Sequence, residues 1–270
     1  MIDILLPVYN GAKYLEIQID SLFKQTYVDW RLIVRDDGST DSSVDIIERY
    51  VLEYPNKILY VKDNFGNLGT SGCLNILLQY IEGDYFMYCD QDDIWSPFKI
   101  ERTLKVIKSL EKVLGDVPIL VCSDAYCING NGTVINNSFF KSQKFLDVTD
   151  NYIKMAALNV VQGSTSLMNR RVKDTIKYIP KEFLHDGWTA VITAYYGHVE
   201  YIHEPLLYYR QHESNVLGVH DIDILYYLNK IKHLKKQINL YSSFFDKLPF
   251  KVNKLKWFYY KSSIAIKRIL

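Results

Sequence analysis

The sequence is poor in cysteine and lacks any long hydrophobic run. Four of its 270 residues are cysteine, and Cys73, Cys89, Cys122 and Cys127 match no zinc-ligand spacing, so we expect buried, reduced thiols. No segment approaches the roughly 18 uninterrupted apolar residues of a membrane span. No Lys or Arg precedes Lys13, which argues against a signal peptide. These absences predict a cytoplasmic protein.

Several catalytic and nucleotide-binding signatures are also missing. There is no Walker A motif, and the segment Gly66-Asn-Leu-Gly69 has too few glycines for a dinucleotide-binding fingerprint. No G-x-S-x-G segment is present, which excludes the nucleophile elbow of a serine hydrolase. Hydrophobic residues make up 48% of the chain and charged residues 23%, so the composition excludes a disordered or fibrous protein.

Strand-like and helix-like stretches alternate through the first half of the chain. Apolar runs predict strands at 2–8, 30–34, 58–61 and 85–89, and apolar residues at helical spacing fill the segments between them. This alternation predicts an α/β fold with a mainly parallel central sheet flanked by helices. A further strand is expected at 119–122, followed by a hairpin turn at Asn129-Gly-Asn-Gly132.

Polar residues follow each of the first four predicted strands. They are Asn10-Gly11, Asp36-Asp37, the segment 64–69 and Asp90-Gln-Asp-Asp93. In parallel α/β sheets, ligands bind where the carboxyl ends of the strands meet. One such cluster is ordinary turn chemistry, but four in succession at one edge predict a binding site.

The segment Asp90-Gln-Asp-Asp93 carries three carboxylates within four residues. Because like charges at a strand end repel one another, we expect a positive partner there. Mg²⁺ and Mn²⁺ prefer oxygen ligands and bridge carboxylates to substrate phosphates. The alternative is a solvated acidic turn that caps the helix expected near Ser96.

The segment Asp36-Asp-Gly-Ser-Thr-Asp41 is a second acidic cluster. Asp41 or Ser42 is expected to cap the helix that follows. Asp37 is less easily explained in that way. A carboxylate at this strand end can accept a hydrogen bond from the ring N–H of a uracil or thymine base.

Four motifs occur in order along the chain with fitting gaps. They are Pro7-Val-Tyr-Asn10, Asp36-Asp-Gly-Ser-Thr-Asp41, Asn67-Leu-Gly69 followed by Asn75, and Asp90-Gln-Asp-Asp-Ile-Trp95. Together they resemble glycosyltransferase family 2, which has the GT-A nucleotide-sugar fold. The resemblance covers roughly residues 1–215. It implies a nucleotide-sugar transferase that uses Mn²⁺ or Mg²⁺.

The resemblance also implies roles for individual residues. Pro7, Tyr9 and Asp37 are expected to hold the nucleotide base. Asp90 is expected near the ribose, and Asp92 is expected on the metal and the diphosphate, with Asp93 as a further metal ligand. The other residues assigned to the nucleotide sugar are Asn10, Asn67, Gly69 and Gln91.

Family members invert the anomeric centre by direct displacement, and one carboxylate removes the proton of the acceptor hydroxyl. This base usually lies in a Glu-Asp pair. The chain instead has His185-Asp186-Gly-Trp188, so the resemblance implies Asp186 as the base and leaves the role of the first position open. The alternative is that Asp186 caps the helix that follows.

Two later segments complete the implied site. Tyr209-Arg210-Gln211-His212-Glu-Ser-Asn215 resembles a C-terminal loop motif, in which Arg210 or His212 meets the diphosphate and His212 is a third metal ligand. A purely structural histidine is the alternative. Gln162-Gly-Ser-Thr165 resembles the segment that closes over the donor sugar or the acceptor. The expected acceptor-binding residues are Gly163, Ser164, His185 and Trp188.

The Asp-Gln-Asp-Asp-Ile-Trp form resembles bacterial rhamnosyltransferases that make O-antigen, capsule or cell-wall polysaccharide. It implies dTDP-rhamnose as donor, with UDP-hexoses as the alternative, and a glycan or lipid-linked saccharide as acceptor. A nucleotidyltransferase is a second alternative, but the loop Tyr9-Asn-Gly-Ala-Lys13 is poor for a triphosphate. A third is a nucleic-acid-binding protein whose C-terminal aromatic residues stack on bases. Its acidic body argues against nucleic acid as a partner.

Charge divides the chain near residue 220. Residues 221–270 carry ten Lys and one Arg against three Asp, a balance of +8, whereas the first 220 residues carry −7. We predict a catalytic domain at 1–220, with a nucleotide-binding half at 1–115 and an acceptor-binding half at 116–220. The segment 221–270 is predicted to be a basic amphipathic helical tail, apolar on one side from Leu225 to Phe245 and again over 252–269. We expect it on the cytoplasmic face of an anionic membrane, and the alternatives are a homodimer contact or packing on the catalytic domain.

Overall fold

The computed structural model describes residues 1–212 and 234–269. Its first half alternates strands and helices as the sequence predicts. The elements are β1 (Ile2–Val8), α1 (Ala12–Phe23), β2 (Trp30–Asp36), α2 (Ser43–Glu53), β3 (Ile58–Tyr60), α3 (Gly69–Leu77), β4 (Tyr85–Tyr88), β5 (Ile94–Trp95) and α4 (Lys99–Leu114). Then follow β6 (Ile119–Ile128), β7 (Val134–Asn136), α5 (Phe139–Ser142), α6 (Tyr152–Ala157), β8 (Ser166–Asn169), α7 (Arg170–Ile176), α8 (His185–Tyr196), β9 (His198–Arg210), α9 (Leu234–Lys247) and α10 (Lys254–Ile269).

The nine described strands form one sheet. Eight of them follow the order β3-β2-β1-β4-β8-β6-β9-β5, and β7 pairs with β6 outside this order. β1 lies parallel to β2 and to β4, so that Ile4 is opposite Leu32 on one side and Met87 on the other. β3 continues the parallel pattern on β2. Because helices cover both faces of this half, its strands are apolar along most of their length. The carboxyl ends of β1, β2 and β4 therefore meet at one edge.

β8 interrupts the parallel pattern. It lies between β4 and β6 and is antiparallel to both. A short 3₁₀ turn, Gly163–Thr165, precedes β8 and is thereby brought to the carboxyl end of β4. β9 runs parallel to β6 and ends at Arg210, and its last residues also pair with β5. This arrangement carries segments distant in sequence to the loop that follows β4.

Two smaller predictions are confirmed. The N–H of Gly132 donates to the carbonyl of Asn129 at 2.9 Å, which closes the turn between β6 and β7. All four cysteines are buried and unpaired with one another. Of the two residues predicted to cap α2, Asp41 and Ser42, it is Asp41 that accepts hydrogen bonds from Ser43 at the start of the helix. Its carboxylate also accepts one from the Ala12 N–H at the start of α1.

The sheet separates two apolar layers, and the C-terminal helices belong to one of them. One layer lies among β1, α1, α2 and α4, and the other lies among α3, α6, α7 and α8. Phe245, Leu248, Phe250, Trp257 and Ile264 are buried in the second layer. The predicted helical character of the tail is therefore confirmed for α9 and α10, and their inner faces pack on the catalytic domain.

The rest of the tail prediction falls outside the described residues. These include the predicted boundary at residue 220 and the apolar positions Leu225, Leu228 and Ile231. Asn215 of the C-terminal motif also lies there. No helix in the described ranges is both long enough and apolar enough to cross a bilayer.

Candidate active site

The loop after β4 is anchored by the buried carboxylate of Asp93. Its Oδ2 accepts a hydrogen bond from the Ser164 hydroxyl at 2.9 Å, and its Oδ1 accepts one from the Arg210 N–H at 3.1 Å. Burial, reinforced by the carboxylates of Asp92 and Asp90, raises the pKa of Asp93 well above its usual range. Both oxygens bind protein donors, so Asp93 anchors the loop, and its predicted metal contact stays a prediction.

Asp92 and His212, two of the predicted metal ligands, lie side by side. His212 Nε2 is 2.8 Å from Asp92 Oδ2, and both side chains are partly exposed. The ring of Tyr14 lies 5.3 Å from the imidazole of His212. A carboxylate and an imidazole are both acceptable ligands for Mn²⁺. Residues 1–212 and 234–269 contain no group of three or more His, Cys, Asp or Glu placed to hold a metal.

Arg210 holds the loop that carries Asp92. Its guanidinium is buried, and Nε donates to the Asp92 carbonyl at 2.8 Å while Nη1 reaches the carbonyls of Asn129 and Gly130 at 3.3 and 3.2 Å. It also lies 4.5 Å above the ring of Tyr14. These contacts hold the loop that carries Asp92, and the predicted contact of Arg210 with the diphosphate stays a prediction.

The loop after β1 is pinned to the loop after β4 by Gln91. The Tyr9 N–H donates to Gln91 Oε1 at 2.9 Å, and Gln91 Nε2 donates back to the Tyr9 carbonyl at 3.0 Å. A Cβ on Gly11 would lie 2.4 Å from Gln91 Oε1, so the side chain needs a glycine there. Asn10 adds a bond from the Thr40 N–H to its Oδ1 at 2.8 Å. These contacts leave the ring of Tyr9 exposed at the edge of the sheet.

Asp37 is buried beneath the segment that leads into α3. Its Oδ1 accepts hydrogen bonds from the Arg35 guanidinium and, at 2.9 Å, from the Leu68 N–H. Its Oδ2 accepts one from the Gly69 N–H at 2.8 Å. The carboxylate predicted to bind a base therefore also positions the turn that carries Asn67, whose side chain is exposed.

His185 and Asp186, in the first turn of α8, form the other wall of the site. The ring of His185 meets that of Tyr88 edge-on at a centroid distance of 4.9 Å. Its Nε2 is buried and has no hydrogen-bond partner among the described residues. A Cβ on Gly163 would lie 2.3 Å from this Nε2, so glycine is required at 163 for His185 to occupy its position.

The carboxylates of this site influence one another. Burial raises the pKa of Asp186, and burial also raises the pKa of Asp90 to about 6. The charges of Asp92 and Asp186 add to the shift at Asp90, and His185 opposes it. The loop after β4 and the start of α8 therefore face a common site, in which acidic groups lie close enough to disfavour one another's ionisation.

Trp188 lies elsewhere. It is buried, its Nε1 donates to the Tyr178 carbonyl at 2.9 Å, and its ring stacks on Phe183 and meets Phe244 edge-on. The predicted acceptor contact of Trp188 is corrected for this reason: one helical turn after His185, the side chain points into the core under α9.

Two residues of the site were not singled out by the sequence analysis. Arg35 is buried and holds both oxygens of Asp63 at 2.8 Å, in addition to Asp37. An arginine inside the apolar strand Trp30–Asp36 is a signal that could have identified it. Tyr14, between Arg210 and His212, belongs to the apolar side of α1, and its spacing does not distinguish it from a core residue.

Comparison with known proteins relates the chain to a family and to several relatives. Residues 3–172 match the model of the family described as glycosyl transferase family 2. An uncharacterized glycosyltransferase of Nostoc sp. is 28% identical over 219 residues, which are 79% of this chain and 66% of the relative. The Escherichia coli UDP-Glc:alpha-D-GlcNAc-diphosphoundecaprenol beta-1,3-glucosyltransferase WfgD is 32% identical over 108 residues, or 40% of this chain and 41% of WfgD. The chain thus spans less than two thirds of the length of these relatives.

Solved structures confirm the fold. S. aureus TarS 1-349 in complex with UDP-GlcNAc matches with a TM-score of 0.58 and 21% identity, covering 79% of this chain and 59% of TarS. The mannosyltransferase PcManGT of Pyrobaculum calidifontis, in complex with GDP-Man and Mn²⁺, matches with a TM-score of 0.53 and 18% identity over 76% of this chain and 54% of its own. At these identities the likeness is one of fold, and it agrees with the predicted GT-A arrangement.

Proposed function

The chain belongs to glycosyl transferase family 2 and is a glycosyltransferase; from that premise we propose that it transfers one sugar, with inversion, from a nucleotide diphosphate donor to an acceptor in surface-polysaccharide synthesis. The observation that carries the proposal is the contact between Asp92 and His212 at 2.8 Å. In the proposal this contact forms a metal-binding pair at the carboxyl edge of the sheet, and Asp186 lies at the start of α8.

Asp92 and His212 would hold Mn²⁺ or Mg²⁺. Their oxygen and nitrogen atoms suit a divalent cation, and two protein ligands leave other positions for diphosphate oxygens and water. The cation would supply positive charge to the leaving diphosphate. Arg210 and Asp93 fix the loop so that Asp92 keeps its place. The bound Mn²⁺ of PcManGT supports this choice of metal.

Asp186 is the proposed base. As the acceptor oxygen attacks C1 of the sugar, the bond from C1 to the diphosphate oxygen breaks on the opposite face, and the hydroxyl proton passes to the Asp186 carboxylate. Burial raises the pKa of Asp186, so the carboxylate is a stronger base than an exposed aspartate. The N–H of Gly187 donates to it and helps to fix its orientation.

The nucleotide would lie along the edge formed by the loops after β1, β2 and β3. Pro7 lies at the end of β1, and Tyr9, which follows that strand, has an exposed ring. Asn67 is exposed in the turn that Asp37 holds. A carboxylate offers about four acceptor positions, and three at Asp37 are used, which leaves one for the ring N–H of a base. Uracil and thymine both carry that group, so the proposed donors are UDP-sugars and dTDP-rhamnose.

The acceptor would be a glycan or a lipid-linked saccharide, reached at the cytoplasmic face of the membrane. The name of WfgD describes transfer from UDP-Glc to a diphosphoundecaprenol-linked sugar, which supports this class. Gly163 and Ser164 lie at the end of β4, where the sugar and acceptor would meet. The proposal does not require a homodimer.

The proposal is tested by a thermal-shift screen of UDP, dTDP, GDP and ADP with and without Mn²⁺. Because a ligand of the folded state stabilises it in proportion to the logarithm of concentration over Kd, the matching base should stand out. The corresponding nucleotide sugars are then assayed for release of the diphosphate. The proposal would be contradicted if no nucleoside diphosphate raises the melting temperature in a metal-dependent way and no donor releases its diphosphate.

The role of Asp186 is tested separately with Asp186→Asn. We expect turnover to fall by roughly a hundredfold or more, the scale for loss of a general base, with donor affinity changed little. A near-normal kcat in the folded variant would show that Asp186 only caps α8, and that another group is the base.

A further inference from the structure

The C-terminal helix α10 has two apolar faces. Its inner face is buried on the catalytic domain through Trp257 and Ile264. Its outer face carries four large apolar side chains that are between 58% and 85% exposed: Leu255, Phe258, Tyr259 and Ile266. Positions 255, 258, 259 and 266 recur at helical spacing and so lie on one side. We call these four residues the outer face of α10.

The positive charges of α10 are divided between the two faces. On the inner side, Lys261 donates to the Ala157 carbonyl and the Tyr241 hydroxyl, and Arg268 donates to the Gln143 carbonyl. Four lysines on α10 and just before it are exposed: Lys251, Lys254, Lys256 and Lys267. The sequence from 247 to 270 contains no Asp or Glu, and Lys254 lies 3.5 Å from Asp246 of the preceding helix.

We propose that the outer face of α10 docks the enzyme on an anionic lipid bilayer, with the helix lying in the plane of the membrane surface. A helix that combines an apolar side, aromatic rings and lysines suits the boundary between headgroups and acyl chains. The apolar side chains would enter this boundary, and the flanking lysines would meet lipid phosphates. The absence of carboxylates from this stretch matches a negatively charged partner.

The inner face explains how docking would hold the whole enzyme. Trp257 packs against Tyr241 and Phe245 of α9 at centroid distances of 4.6 and 5.2 Å. Arg268 also lies 5.3 Å over the ring of Phe145. Because these contacts fix α10 to the catalytic domain, a membrane that binds the outer face would retain the active site at its surface.

A second copy of the chain is the weaker occupant of this face. In a symmetric dimer the same patch meets itself, so the exposed lysines of both copies would be brought together without an acidic residue in the same stretch. Like charges set against each other across an interface disfavour the pairing. Anionic lipid satisfies both the apolar residues and the lysines, and the proposal does not depend on the identity of the donor or on the transfer reaction.

The test is co-sedimentation of the full chain with vesicles of phosphatidylcholine, with or without phosphatidylglycerol. We compare wild type with a face variant, Leu255→Gln/Tyr259→Gln/Ile266→Gln, and a charge variant, Lys256→Glu/Lys267→Glu. Matched controls remove exposed side chains elsewhere: Leu52→Gln/Val113→Gln for apolar surface and Lys105→Glu/Lys108→Glu for charge. All the replaced side chains are exposed, and melting temperatures check that each variant is folded.

We expect binding that needs the anionic lipid and weakens with salt. The face variant should bind at least tenfold more weakly, and the charge variant roughly 25-fold more weakly at a contribution near fivefold per lysine, with both controls unchanged. Equal binding by the face variant and wild type, or no binding by wild type, would overturn the proposal. So would a concentration-dependent dimer, measured by light scattering, that the face variant abolishes.

Discussion

Gly163→Ala is expected to lower kcat/KM about a hundredfold while the chain stays folded. The new Cβ would lie 2.3 Å from His185 Nε2, whereas ordinary contacts begin at 3.4 Å, so the ring has to move by about 1 Å. The ring of Tyr88 limits where it can go, and Asp186 is the next residue along the helix. A misplacement of about 1 Å can cost roughly 10²-fold in rate, which corresponds to about 2.7 kcal/mol of barrier.

The assay is the initial rate of nucleoside diphosphate release from the preferred donor, with the melting temperature as a check on folding. Gly187→Ala is the matched control, because its Cβ would meet only Asn159 at 3.5 Å or more, and we expect a rate near that of wild type. In a His185→Ala background the clash partner is absent, so Gly163→Ala should then cost less than about threefold. A normal rate for Gly163→Ala, or full additivity with His185→Ala, would refute the reasoning.

Three further predictions follow from buried charges. Burial lowers the pKa of Lys99 from 10.5 to about 7. The buried charge therefore lowers the free energy of unfolding fully below about pH 7, and this cost disappears above pH 10.5. We expect Lys99→Met to raise the free energy of unfolding, measured with urea, by roughly 2–5 kcal/mol at pH 6 and by less at pH 9. Arg35→Met leaves the buried Asp37 without its ion partner, so we expect a loss of roughly 3 kcal/mol or more, and an unchanged urea midpoint would argue against the network. Burial raises the pKa of Asp186, so the acid limb of the kcat/KM profile should lie at a pH above 3.8, and kcat/KM should rise with pH through it. Asp186→Asn should remove that limb.

The strands around the predicted site could be read from the sequence because their signals are local. Ile2–Val8 and Tyr85–Tyr88 are apolar runs that end in polar residues, and their parallel pairing follows from the helices between them. The insertion of β8 between β4 and β6 could not be read in this way. It depends on pairing between Met87 and Leu167, which are distant in the chain, and no local spacing encodes that register.

The site residues also divide into those that local motifs predict and those whose position depends on distant parts of the chain. Asp92 and His212 were predicted from separate motifs, but their contact depends on where β9 ends. Trp188 follows His185 by about one helical turn, yet the start of α8 at His185 turns its side chain into the core. The apolar stripe of the tail predicted one exposed face for a membrane. Within the described part of the tail, Phe245, Trp257 and Ile264 are buried on the catalytic domain. Leu255, Phe258, Tyr259 and Ile266 are exposed, because α10 carries apolar residues on two sides.

The central claim, metal-supported binding of a nucleotide at Asp92, is tested most directly by isothermal titration of the chain with the nucleoside diphosphate chosen by the thermal-shift screen. Titrations with Mn²⁺ and after chelation are compared for wild type, Asp92→Asn and the control Asp84→Asn. The control changes an exposed carboxylate that directly precedes β4, at the opposite end of the strand from Asp92. We expect Mn²⁺ to strengthen binding by at least tenfold in wild type and Asp84→Asn and to have no effect in a folded Asp92→Asn. Equal Mn²⁺-supported affinity in Asp92→Asn and wild type would contradict the claim.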